Sequence, residues 1–224
     1  MNTLIHDESV VPLAGRDARS SLARLLRLHL ASRRVPAALL ALAACAPLLQ
    51  WAVRSSLSQT SLSGARTSAQ QLSLLLEAAT AAIVSAALHG PFGEAERIAG
   101  RRLPLLRLAT ALLLTVAALA VVYVGVLGTA MPAGELSALR DTAGLVGIGI
   151  LSTVLVGGHF AWIGPVSYWV LGAYALTENW HTPWTWPGRP GGDLGADLCA
   201  SAVFAAALLA ITLAGPGRQG VSGS

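Results

Sequence analysis

The chain has 224 residues, 54% hydrophobic and 12% charged, with a mean hydropathy of +0.62 and a formal net charge of +4. Soluble domains carry roughly 25% charged residues, so this composition excludes an ordinary soluble domain and describes a polytopic membrane protein. At about 20 residues per crossing, the length accommodates about six spans with short loops and leaves no room for a separate soluble domain.

Residues 1–34 read as a cytoplasmic tail that ends in an interfacial helix. Over residues 19–32, Leu22, Leu25, Leu26 and Leu30 fall on one side and Arg24 and Arg27 opposite, as in a helix lying in the membrane plane. Residues 35–53 form the first predicted span. Leu42-Ala43-Ala44-Cys45 imitates a lipoprotein cleavage site, but the apolar run continues past Cys45 through Leu48 and Leu49, as a span does. Residues 55–69 are rich in Ser, Thr and Gly and read as an external loop. Residues 70–89 are the second span, where Gln70, Ser73, Glu77 and Thr80 recur at helical spacing and share one face.

A charged island follows. Glu94, Glu96 and Arg97 sit together, Arg101 and Arg102 come about one turn later, and Pro104 and Arg107 lead into a third span over residues 103–130. Glycine and proline on both flanks predict a short helix over residues 94–99, lying across the cytoplasmic face. Residues 131–142, with Pro132, Glu135, Arg140 and Asp141, read as a polar external loop. Residues 143–177 hold only His159 as a potentially charged side chain, and one straight helix of that length would measure about 50 Å against a hydrocarbon core of about 30 Å. The segment must therefore fold back between Gly157 and Pro165, giving spans at 143–158 and 160–177. Residues 178–192, with Trp180, Trp184 and Trp186, have the content of an interfacial aromatic belt. The sixth span covers residues 194–214, and residues 215–224 form a second cytoplasmic tail. The expected fold is thus all-α: an interfacial amphipathic helix plus one six-helix transmembrane domain over residues 35–214.

Arginine supplies every positive side chain, and together with abundant Ala, Leu and Gly it suggests a GC-rich bacterial genome and a bacterial plasma membrane. With both termini inside, eleven arginines fall on the cytoplasmic side and four outside, the positive-inside bias. Because the arginines flank apolar segments instead of forming one basic surface, they argue against nucleic acid as a partner. The chain has no phosphate loop, His-Glu-x-x-His, Gly-x-Ser-x-Gly or Cys-x-x-Cys motif, so no catalytic residue, metal site or cofactor is expected. Gly144, Gly147 and Gly149 imitate part of a dinucleotide motif but lie in an apolar span, where close helix packing explains them. Glu77 is the ionisable member of its stripe. It is either a pathway-lining or proton-linked residue, or a neutral acid bonded to another helix.

In this layout the chain resembles the membrane subunit of ABC-2 type transporters. Those subunits place an interfacial elbow helix before six spans, a coupling helix in the cytoplasmic loop between spans two and three, and a re-entrant hairpin before the last span. The resemblance implies an elbow at residues 19–32 and a coupling loop containing Phe92, Glu94, Glu96, Arg97, Gly100, Arg101 and Pro104. It implies a separate ABC ATPase as partner, a second permease copy in a homo- or heterodimer, and ATP hydrolysis on the partner chain only. Gln70, Ser73, Glu77 and Thr80 are then the pathway candidates. A membrane scaffold that recruits a cytosolic protein through the charged island shares the same topology. A lipid-modifying enzyme has only the sparse pair Glu178 and His181 to draw on.

Overall fold

The computed structural model describes residues 35–58, 64–88, 103–129, 134–178, 180 and 182–213. Its elements are α1 (Val35–Ser58), α2 (Gly64–Leu88), α3 (Leu103–Val126), α4 (Glu135–Leu155), a 3₁₀ turn at Gly158–Phe160, α5 (Ile163–Thr177), a second 3₁₀ turn at Trp186–Gly188, and α6 (Leu194–Leu213). There is no strand among the described residues. All the helices but α5 are long and apolar enough to cross a membrane, and α5 has 15 residues. Among the described residues the chain is all-helical, with five helices of membrane-spanning length and composition. The elbow at residues 19–32, both tails, and Phe92, Glu94, Glu96, Arg97, Gly100 and Arg101 lie outside the described residues. Pro104 sits in the first turn of α3, where its missing N–H breaks no helical bond.

Two expected loops are largely helix. Residues 55–69 are divided between the end of α1 and the start of α2, leaving only residues 59–63 between them. Small hydroxyl side chains signal loops because they compete for backbone groups, yet in a helix they can bond back to the preceding turn. Ser55 does this, its Oγ donating to the Ala52 carbonyl at 3.0 Å. The larger correction concerns α4, which begins at Glu135 and not at residue 143, so Arg140 and Asp141 lie inside a helix and are buried. The third helix also ends earlier than expected. Gly128 takes a φ of +70°, and both the N–H and the Oγ of Thr129 cap the Val126 carbonyl.

The fold-back after α4 falls where the length argument puts it. Gly157, at φ +94°, occupies a conformation that side chains with a Cβ avoid, and the chain reverses through the 3₁₀ turn into α5.

α4 is the central helix, packing on α2, α3, α5 and α6. Between membrane helices the driving force is close van der Waals packing, which small residues permit. α6 turns Ala196, Ala200, Ala207 and Ile211 inward at helical spacing. The glycines of α4 receive it: a Cβ on Gly147 would stand 2.9 Å from the Phe204 Cα, and one on Gly144 would stand 2.8 Å from the Trp186 ring. Gly149 has the same character, opposite Ser85 and Pro165. Close packing is thus what these three glycines serve. On the other side, α1 contributes Val35, Ala38, Leu42, Cys45, Leu49 and Ala52 to the core, and α3 contributes Ala111, Leu114, Ala118 and Val122. The outer faces carry lipid-type side chains such as Leu40, Val116, Leu198 and Leu209, each more than 60% exposed.

Candidate functional site

The polar stripe of α2 is continuous, as its spacing predicts, and it faces the protein interior. Ser73, Glu77 and Thr80 are each no more than 2% exposed. The Ser73 Oγ donates to Glu77 Oε1 at 2.8 Å, and the Thr80 hydroxyl donates back to the Glu77 carbonyl at 2.7 Å. Glu77 Oε2 is buried with no hydrogen-bond partner. Gln70, one end of the stripe, reaches out of α2 altogether, its Nε2 donating to the Pro187 carbonyl at 3.1 Å. Within one chain these four residues line no open channel. They form a buried seam that ends under the Trp-rich loop.

That loop is held by side chains from four directions. Gln70 reaches it from α2. From α5, the Tyr168 hydroxyl donates to the Trp184 carbonyl, and the Tyr168 ring stacks on Trp186 with centroids 4.5 Å apart. Inside the loop the Arg189 guanidinium pairs with Asp193, whose Oδ1 accepts the Ala196 N–H in the first turn of α6. That accepted N–H, together with the neighbouring Arg189 charge, holds the Asp193 carboxyl below the usual carboxylate range.

The fourth direction is Arg140, from α4, and it does the most. A guanidinium has five N–H donors, and here each has an acceptor. Nε donates to Asp141 Oδ1 at 2.9 Å. One terminal nitrogen donates to the Pro190 carbonyl at 3.2 Å and to Asp197 Oδ1 at 3.4 Å. The other donates to the carbonyls of Trp186 at 2.6 Å and Arg189 at 2.9 Å. The Trp186 and Pro190 carbonyls also accept the Arg189 and Asp193 N–H groups, so for them the guanidinium is a second donor, taking a place that water would otherwise fill. Trp186 and Thr185 are consequently buried at 2% and 1% exposure, while residues 182–184 and 190–192 on either side stay exposed.

Arg140, Asp141 and Asp197 escape a reading by composition because two adjacent charges usually break an apolar run. The available signal was position: a charged pair directly before the glycine-rich run of α4, and a carboxylate in the first turn of α6. A cavity of about 250 Å³ lies beside this cluster, lined by Leu136, Arg140, Ala143, Gly192, Asp197, Ala200 and Ser201. The Asp197 side chain is 42% exposed, whereas those of Arg140 and Asp141 are at 6% and 8%. With every N–H engaged, Arg140 has no donor left for an anionic ligand. Among the described residues, no group of three or more His, Cys, Asp or Glu side chains is placed to hold a metal ion. His159 lies in the turn after α4, edge-on to Phe160.

No family model, curated protein or solved structure matches the chain.

Proposed function

We propose that this protein is the permease subunit of an ABC-type exporter in a bacterial plasma membrane, with six spans and both termini in the cytoplasm. It works as a dimer and couples to a separate ATPase through residues 90–107. The observation that carries this reading is the burial of Thr185, Trp186 and Pro187 against the bundle immediately before α6, a point of the Trp-rich loop that enters the protein before the last span. The contacts of this loop with the start of α2 and the start of α4 support an alternating up-and-down order. In that order the segment between α2 and α3 lies at the opposite end of the bundle. The positive-inside bias then makes that end cytoplasmic.

A specific test is capture of the intact complex from native membranes. A P-loop ATPase should co-purify, and Glu96→Ala or Arg97→Ala should uncouple its hydrolysis from transport while leaving the membrane domain folded. Absence of any ATPase from the captured complex refutes the proposal. Orientation has its own test: with Cys45 and Cys199 changed to Ala, a cysteine at position 63 should react with an impermeant thiol reagent in intact cells, and one at position 96 only after lysis. The opposite pattern removes the coupling argument.

The burial of Ser73, Glu77 and Thr80 favours a second reading, a non-transporting scaffold whose charged island recruits a cytosolic protein. In that case capture through residues 90–107 yields a stable partner without nucleotide hydrolysis.

A further inference from the structure

We infer that Glu77 is a proton-binding site inside the membrane: its side chain is a carboxylic acid that holds one proton in the structure described. The inference rests on α2 lying in the membrane and not on the exporter reading.

Glu77 lies in the interior half of α2, at 2% exposure, with one oxygen bonded to Ser73 and the other without a partner among the described residues. A carboxylate there needs a countercharge. The charged groups that act on it both come from α4, Arg140 and Asp141. The guanidinium has no donor to spare, because its five N–H groups are committed to Asp141, Asp197 and three loop carbonyls. Its charge is already faced by two carboxylates. From α5, the Tyr168 hydroxyl is donated to the Trp184 carbonyl and the Trp169 indole N–H to the Gln71 carbonyl. α2 itself offers the Ser73 hydroxyl, and the Thr80 hydroxyl is turned to the backbone.

An ionised, unpaired carboxylate buried in a membrane costs far more than a neutral carboxyl with one unsatisfied oxygen, so the protonated form is the one this site holds. A metal ion in place of the proton would need more ligands than the site has, as no three acidic, His or Cys side chains converge among the described residues. Release of the proton requires a partner for the resulting anion. The cation that acts on Glu77, Arg140, has its five N–H groups engaged elsewhere.

The experiment uses the full chain in lipid nanodiscs. Infrared spectra should contain the carbonyl stretch of a protonated carboxylic acid at neutral pH, present in the wild type, Asp141→Asn and Asp197→Asn, and absent in Glu77→Gln. In the unsubstituted protein, a lipid-soluble carbodiimide, which adds to protonated carboxyls, should label the peptide containing Glu77. Persistence of the band in Glu77→Gln, its loss in Asp141→Asn, or a label on α4 in place of α2 overturns the assignment. The carbodiimide arm needs no variant, so a misfolded substitution does not blunt the test. Neither arm involves an ATPase, so failure of the exporter reading leaves it untouched.

Discussion

Replacing Arg140 by alanine should be the most damaging single change in the half of the bundle that holds the Trp-rich loop. The substitution leaves Asp141, whose side chain is 8% exposed, as a buried charge without its partner. Breaking a buried pair in this way costs about 3–5 kcal/mol. The Trp186 carbonyl, in a residue that is 2% exposed, loses one of two donors and keeps the Arg189 N–H, adding about 0.5–1.5 kcal/mol, while Pro190 is exposed and water can replace its lost bond. The contact with Asp197 adds little, below about 1 kcal/mol, because that carboxylate is 42% exposed and screened. A loss of about 4 kcal/mol or more is therefore expected. The assay is reversible unfolding in mixed micelles, followed by helicity and by tryptophan fluorescence, since Trp186 should leave its stack on Tyr168. Arg140→Ala with Asp141→Asn should recover much of the loss, because the double substitution removes the orphaned charge and leaves only the carbonyls short of a donor. A cost below about 1 kcal/mol for Arg140→Ala, or no recovery in the double variant, would refute the reasoning that this ion pair is buried and holds the loop.

Gly147→Ala should destabilise the protein by about 1–3 kcal/mol in the same unfolding assay, since its Cβ meets the Phe204 backbone, which cannot rotate away as a side chain can. Gly157→Ala should cost a similar amount, about 1–3 kcal/mol, through backbone strain alone at φ +94°, because open space surrounds that position. Asp193 supplies a pH-dependent contribution: its carboxyl is held low by the Ala196 N–H and by Arg189, so stability is present above the ordinary carboxylate range and lost as the pH falls through the lowered value. Asp193→Asn keeps an oxygen for the helix terminus but removes the charge, and should flatten the acid limb of a plot of unfolding midpoint against pH.

Apolar length and helical spacing made much of this fold legible. The six apolar segments are all helical, the reversal after α4 falls between Gly157 and Pro165, and the stripe from Gln70 to Thr80 lies on one face. These features depend on neighbours within one or two turns, which a sequence window contains. Arg140 depends instead on carbonyls 46 to 50 residues away along the chain, and no local window contains them. Its charge looked like a loop signal because the partners that make its burial tolerable belong to another part of the fold. The direction of the α2 stripe was similarly hidden. Periodicity says which residues share a face, but whether that face meets lipid, water or protein is decided by the helices packed on it, here α4 and α5.

With α5 as the fifth of the six spans proposed above, its shortness has a consequence for the surrounding lipid. Its 15 residues measure about 22 Å along the axis, some 8 Å less than a typical hydrocarbon core. Acyl chains beside this helix must therefore shorten, so that headgroups and water dip towards the bundle next to the exposed rings of Trp180 and Trp184. The dimple is local, because α4 and α6, on the other side, have 21 and 20 residues. A bilayer of shorter-chain lipids relieves the distortion along α5 and introduces one along its neighbours. Chain length in reconstituted vesicles then becomes a control on how far α5 tilts, and with it on the position of the loop that follows.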